Sequence, residues 1–178
     1  ERLGLACIQT TAADGRGFRP EWEARFDVVL VDAPCSGFGI IRKKPDVRYK
    51  KPDDLFALPV IQRAILDNAA RYVRPGGTLV YSTCTIDPAE NQQQIAAFLA
   101  RHPEFTVVEP AAALPAGMTA GEHGALWCPP VPAWTVFSCV PCRKTGKSCN
   151  ETGGLFVKNN RRTQWNKNAV SLPLRWQS

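Results

Sequence analysis

The hydrophobic positions of the first 110 residues alternate between two periods, one suited to strands and one to helices. Cys7-Ile8-Gln9-Thr10 fits a short strand that ends at the turn Asp14-Gly15-Arg16. Phe26-Asp27-Val28-Val29-Leu30-Val31-Asp32 is a β-branched apolar run and predicts a strand buried on both faces. Ala33-Pro34 ends it, because proline cannot donate to a central ladder. Asp53-Asp54 are suited to cap a helix over about 55–72, where Ile61, Ala64, Ile65, Ala69 and Tyr72 recur at helical spacing. Pro75-Gly76-Gly77 is a stop, and Thr78-Leu79-Val80-Tyr81-Ser82-Thr83 reads as a second buried strand. Asp87-Pro88 opens another helix that carries Ile95, Phe98 and Leu99 and ends near His102-Pro103. Phe105-Thr106-Val107-Val108 is a third strand candidate.

Strand, helix, strand, helix, strand with short connections predicts an α/β fold with a parallel, doubly wound sheet. Ligands of such sheets bind beyond the carboxyl ends of the strands. Asp14, Asp32, Cys35 and Cys84 all fall at or just after strand ends, so they are expected on one rim. After about Leu126 the periodicity is lost. Trp127, Cys128, Pro129, Pro130 and Pro132 follow without a pattern, and no helix or strand is predicted after Val140. The chain thus divides into residues 1–126 and an irregular tail, 127–178. No internal repeat is visible.

Composition narrows the class. At 44% hydrophobic and 21% charged, the chain is neither disordered nor fibrous. No apolar run reaches the ~18 residues of a membrane span. Glu1-Arg2-Leu3-Gly4-Leu5 has no initiator Met and lacks the basic-then-apolar order of a signal peptide. The expectation is a fragment of a cytoplasmic protein. The net charge of +6 suggests nucleic acid, but residues 1–127 hold fourteen Lys/Arg against fifteen Asp/Glu. The tail holds eight Lys/Arg against one acid, Glu151, so all the basic excess lies there. Seven cysteines, an odd number in a chain unlike a small secreted scaffold, are expected as reduced thiols.

The chemistry concentrates in two segments. Asp32-Ala33-Pro34-Cys35-Ser36-Gly37 follows one buried strand and Ser82-Thr83-Cys84-Thr85 closes the next. Two thiols at neighbouring strand ends, one with a carboxylate three residues before it, point to nucleophilic catalysis. Either cysteine alone reads equally as a small buried hydrophobe. Arg42, Lys43, Lys44, Arg48, Lys50 and Lys51 form a basic stretch after the Cys35 loop, which suits phosphate contact or simply a solvated loop. In the tail, Cys139-Val140-Pro141-Cys142 lies between Cys128 and Cys149, so four thiolates are available to zinc. The flanking spacings, ten residues and six, do not make a second Cys-x-x-Cys, and no metal is expected. His102 and His123 read as structural.

Residues 1–110 closely resemble the C-terminal half of the catalytic domain of bacterial RNA 5-methylcytosine methyltransferases, the Sun (Fmu) type acting on 16S ribosomal RNA. Asp14-Gly15-Arg16, the stretch from Phe26 to Gly37, Gly39 to Asp46, Gly76 to Thr85, and Pro88-Ala89-Glu90-Asn91 carry the resemblance. It implies the C-terminal half of a Rossmann-like sheet dependent on S-adenosylmethionine, with 1–126 as a partial catalytic domain. It implies RNA, 16S ribosomal RNA in particular, as partner. Cys84 would be the nucleophile that adds to C6 of cytosine, and Cys35 would assist the later elimination. Asp32 would contact the cytosine edge or the cofactor. Asp14 would contact the cofactor near its adenosine end, the alternative being a turn residue before Gly15. Arg42, Lys43, Lys44, Arg48, Lys50 and Lys51 would meet RNA whose target base is unstacked.

Two departures from the family accompany these expectations. The family's Gly-rich cofactor loop, the acidic residue for the ribose and the N-terminal RNA-binding domain all precede the matched part. Weak or no binding of S-adenosylmethionine by the chain alone is therefore expected. The family also ends in a strand containing Asp-Gly-Phe-Phe, where this chain has Trp134-Thr135-Val136-Phe137. The last base of the Trp codon and the first two of the Thr codon spell Asp in another frame. Degeneracy then permits Leu-Asp-Gly-Phe-Phe across residues 133–138, so an out-of-frame read from about residue 127 is expected. The competing functional readings are a non-catalytic RNA- or zinc-binding module and an inactive gene fragment.

Overall fold

The computed structural model describes residues 9–108, 119–120, 126–127, 138–146 and 154–158. Of the strand expected at Cys7–Thr10, Cys7 and Ile8 lie outside the described residues, and Gln9 and Thr10 belong to no strand. Strand β1 is Phe26–Asp32, followed by helices α1 (Pro52–Phe56) and α2 (Leu58–Tyr72). Strand β2 (Val73–Thr83), helix α3 (Gln92–Arg101) and strand β3 (Phe105–Val107) come next. Two short strands, β4 (Thr119–Ala120) and β5 (Leu126–Trp127), precede β6 (Ser138–Lys144) and β7 (Gly154–Lys158). The sheet runs β4-β5-β6-β2-β1-β7, with β3 also paired to β6.

The β-branched run makes β1, as expected, and it pairs in parallel with β2 from Val28↔Thr78 to Asp32↔Ser82. Val29 and Val31 are fully buried, together with Leu79 and Tyr81 of β2 and Ile65, Leu66 and Ala69 of α2. Val28 and Leu30, on the alternate positions, are only half-buried, so one face of the strand carries the core and the burial on both faces that the apolar run predicts is not reached. Phe98 and Ile95 of α3 and Phe105 of β3 complete that core.

The expected helix over 55–72 is two helices that meet at Ala57. Pro59 explains the break. In a continuous helix it would withhold an N–H from the carbonyl of Leu55 and clash with it, whereas the first turn of a new helix needs no such bond. Asp53 and Asp54 accordingly lie inside α1, whose N-cap is Lys51. Pro75-Gly76-Gly77 does not separate α2 from β2 either, because β2 begins at Val73 and runs through it. The register jumps from Phe26↔Val73 to Val28↔Thr78, a bulge that accommodates the proline. A Cβ on Gly77 would lie 2.9 Å from the carbonyl oxygen of Asp27, so this close approach requires glycine. Arg74 Nε donates to Asp27 Oδ1 at 2.6 Å and fastens the bulge.

The largest difference from the sequence reading is in the tail. β6 pairs antiparallel with β2 along Thr78↔Arg143 to Thr83↔Ser138, and on its other side with β3. The sheet is therefore mixed rather than wholly parallel, and β3 reaches it through a tail strand. β7 lies parallel to β1 on the opposite edge. Pro141, within β6 and opposite Val80, is what hides this strand from a reading by propensity. Cys142 is buried in the core. Lys144 Nζ donates to the carbonyls of Ala70 (3.3 Å) and Val73 (3.0 Å), satisfying acceptors at the end of α2. Among the described residues no helix is long and apolar enough to cross a membrane.

Candidate active site

Parallel pairing of β1 and β2 brings their carboxyl ends side by side, with Asp32 opposite Ser82. The chain leaves β1 through Ala33, whose N–H donates to the Ser82 carbonyl at 2.9 Å. Four residues later it turns at Gly37, whose φ of 78° lies in the left-handed region open to glycine. The Cys35 loop is thus folded back over the end of β2. Gly39 N–H donates to the Cys84 carbonyl at 3.0 Å. The result is a contact between two thiols, Cys35 Sγ to Cys84 Sγ, at 3.2 Å.

The two sulfurs are not equivalent. Hydrogen bonding from Cys35 holds the Cys84 thiol down to about 7, against opposition from burial and from the Asp32 carboxylate. Lys50 and Lys44 add to the lowering. Cys35 is pushed strongly upward, first by that same hydrogen bond and then by burial. Near neutral pH the proton therefore stays on Cys35, and Cys84 is the sulfur that ionises, about half of it being thiolate at pH 7. A thiolate is the nucleophilic form of cysteine, so the arrangement prepares one sulfur to attack and the other to hold a proton beside it.

A buried polar network fixes both loops from beneath. Glu90, 2% exposed, accepts from Ser36 N–H at 2.9 Å and from Gln62 Nε2 at 2.7 Å through one carboxyl oxygen. Gln62 also donates to the Pro34 carbonyl at 2.9 Å. Asn91 donates to the carbonyls of Thr85 and Asp87, both at 3.0 Å, and its side-chain oxygen accepts from Thr83 at 2.6 Å. The Ser36 and Thr85 hydroxyls join the loops directly at 2.6 Å. Glu90 thus grips the Cys35 loop and its neighbour Asn91 the Cys84 loop.

Of the residues singled out from sequence, Asp32, Cys35 and Cys84 are brought together, as their strand-end positions imply. Lys50 departs from the expectation of a purely RNA-facing lysine. Its Nζ donates to the Ser36 carbonyl at 2.5 Å and the Cys35 carbonyl at 3.3 Å, so it clamps the loop beside the thiols. Arg42, Lys43, Lys44, Arg48 and Lys51 are exposed along the same segment. Asp14 sits in a separate turn. Arg16 Nε donates to both of its carboxylate oxygens, and Asn68 ties that turn to α2 through the carbonyls of Gly15 and Arg16. The turn-residue alternative for Asp14 therefore has a structural basis. His102 stacks on Phe98 and contacts Asp67 and Glu104, a structural role. Cys142, one of the four thiols available to zinc, has its proton held on by burial, which pushes it up to about 11. Cys128, Cys149, His123 and the Cys139 side chain lie outside the described residues.

A family model described as 16S rRNA methyltransferase RsmB/F matches residues 1–143. The chain belongs to that family. It is 53% identical over 107 residues to the probable ribosomal RNA small subunit methyltransferase B of Bacillus subtilis, covering 59% of this chain and 24% of that protein. It is 43% identical over 110 residues to ribosomal RNA small subunit methyltransferase F of Erwinia tasmaniensis, covering 61% and 23%. The chain thus spans about a quarter of the length of the curated relatives it matches. Among solved structures, that of PH0851 superposes with a TM-score of 0.69 at 34% identity, covering 80% of this chain and 32% of that one. NSun6 from Pyrococcus horikoshii, solved with SFG, superposes with a TM-score of 0.64 at 25% identity, covering 82% and 37%. The half-sheet of this RsmB/F chain is accordingly a Rossmann-like methyltransferase core with an additional region.

Within the RsmB/F match, Glu90, Asn91 and Gln62 carry no evident role on sequence grounds. A signal existed for Gln62, which lies on one helical stripe with Ile65, Leu66 and Ala69 and so is directed inward. Glu90 gave none, since a carboxylate beside a helix start reads first as a favourable charge at the helix dipole.

Proposed function

We propose that the chain carries the base-chemistry part of an S-adenosylmethionine-dependent RNA cytosine-C5 methyltransferase, with 16S ribosomal RNA as substrate and the cytoplasm as its place of work. The observation that carries this reading is the 3.2 Å contact of Cys35 with Cys84, which lowers the Cys84 thiol to about 7. C5 of cytosine is a poor nucleophile. Addition of the Cys84 thiolate to C6 forms an S–C6 bond and makes C5 enamine-like. S-adenosylmethionine, when bound, supplies the methyl group that C5 takes up. Transfer of the C5 proton to water then lets the S–C6 bond break and returns Cys84 as thiolate, which accepts a hydrogen bond from the Cys35 thiol. Cys35, beside the leaving sulfur, assists that elimination. Lys50 and Lys44 favour the anionic sulfur at both ends of the cycle.

For the methyl donor, the residues of this chain fit in part. Asp32, at the end of β1 beside the thiols, suits the cytosine amino edge or a cationic sulfonium. Asp14 would have to share its carboxylate with Arg16 in order to meet the adenosine end. The exposed cations Arg42, Lys43, Lys44, Arg48 and Lys51 suit phosphates of the RNA. The test is covalent trapping on RNA containing 5-azacytidine, read as a protein–RNA band that survives denaturation. The adduct is expected with the unaltered protein, more slowly at neutral pH with Cys35→Ala, and is expected to vanish with Cys84→Ala. An adduct that persists in Cys84→Ala would sink the assignment.

A further inference from the structure

Large apolar side chains exposed to solvent are rare among the described residues, and those present are not scattered. Tyr49 is 85% exposed, Phe56 79%, Val60 67% and Ile86 47%. Three fall within twelve residues of one another, after the Cys35 loop, and Ile86 stands two residues beyond Cys84. Single exposed hydrophobes need no explanation, but four of them in the two segments that follow the reactive thiols along the chain do.

Tyr49 is the best-anchored member. It ends a 3-10 turn, Pro45–Tyr49, whose Val47 is buried at 6% exposure and packs toward Gly37. The next residue, Lys50, is bound to the carbonyls of Cys35 and Ser36. The ring is thus held out into solvent between two fixed points, and its Cα lies about 3.8 Å from that of the residue touching the thiol loop. Around it Lys44, Arg48 and Lys51 are exposed, and Asp46 is the one acid between Arg42 and Lys51. An aromatic face among cations is the surface that single-stranded nucleic acid recognises, with bases stacking on rings and phosphates meeting cations.

We propose that Tyr49 is a stacking platform for a nucleotide adjoining the cytosine at Cys84, with Phe56 extending the platform along a single strand of RNA. This inference rests on the proposed function and deepens it. Stacking at Tyr49 would also help hold the target base out of a helix, because a neighbour stacked on protein is no longer stacked on it.

The test is fluorescence anisotropy of a labelled, cytosine-containing single-stranded oligoribonucleotide, measured across a range of salt. Tyr49→Ala is expected to weaken binding by about five- to a hundredfold with an unchanged salt slope. Tyr49→Phe is expected to bind within about twofold of the unaltered protein, since the ring is kept. Lys51→Ala is expected instead to lower the salt slope by about 0.7, one phosphate contact on a single strand. Circular dichroism confirms that each variant is folded. If Tyr49→Ala binds as the unaltered protein does, the platform is overturned and the exposed ring serves another surface, such as a protein partner. If the unaltered protein does not bind single-stranded RNA, both the platform and the RNA reading fall. If Tyr49→Ala weakens binding while no adduct forms at Cys84, the platform stands and the catalytic reading alone fails.

Discussion

If the hydrogen bond from Cys35 is what holds Cys84 near neutrality, its removal leaves burial and Asp32 to push the Cys84 thiol upward. Alkylation of Cys84 by iodoacetamide, resolved by mass spectrometry from about pH 5 to 10, reads this directly. In the unaltered protein the rate should rise through about pH 7 and stand near a tenth of its plateau one unit below. In Cys35→Ala the midpoint should move above the ordinary thiol range, with the rate at neutral pH down about tenfold. An unmoved midpoint would transfer the effect to Lys50 and Lys44. At this scale the sequence was informative about Asp32, Cys35 and Cys84, because strand ends in a parallel sheet converge whatever the details of packing. It was silent on which sulfur ionises. That depends on a sulfur–sulfur contact set by the turn at Gly37 and by Lys50, neither of which spacing along the chain can reveal.

Between the elements, the Glu90–Asn91 pair ties the end of β1 to the end of β2 and both to α2. Glu90→Ala would leave the Ser36 N–H buried without its acceptor and one of the two Gln62 amide hydrogens without its own, the other keeping the Pro34 carbonyl. Each such orphaned donor costs roughly 1–3 kcal/mol, so a loss of about 3 kcal/mol is expected, read as a lower urea midpoint. A loss under about 0.5 kcal/mol would mean that the loops are held by other contacts. The sequence read the bodies of α2 and α3, where apolar spacing is unbroken, but Asp87-Pro88 opens a separate 3-10 turn, Pro88–Glu90, and α3 itself begins at Gln92. It misread the joints. Pro59 divides a helix that periodicity made continuous, and Pro75-Gly76-Gly77 is absorbed as a bulge where composition marked a stop. The first break is local, at the Leu55 carbonyl four residues back, which apolar spacing does not register, whereas the second is a tertiary fit at the Asp27 carbonyl that overrides the local signal.

Across the whole molecule, the sequence supplied the Rossmann-like half-sheet and missed its width. β6 inserts between β2 and β3 and carries Pro141, and β7 adds to the far edge from a region without periodicity. The division at 126/127 and an out-of-frame read from about residue 127 remain proposals, which the gene itself tests. Resequencing across codons 125–140 is expected to show that one base restores Leu-Asp-Gly-Phe-Phe at 133–138. A reading frame confirmed as it stands would make the basic tail native.

The pairing of β1 with β2 gives the two kinds of cysteine opposite responses to unfolding. Cys84 owes its ionisation to a neighbour 49 residues away, so it loses reactivity at neutral pH as the strands separate. Cys142, sealed in the core, gains reactivity in the same event. The ratio of their labelling rates is an internal gauge of foldedness that needs no attached probe, and it reads the integrity of the site and of the core in a single experiment.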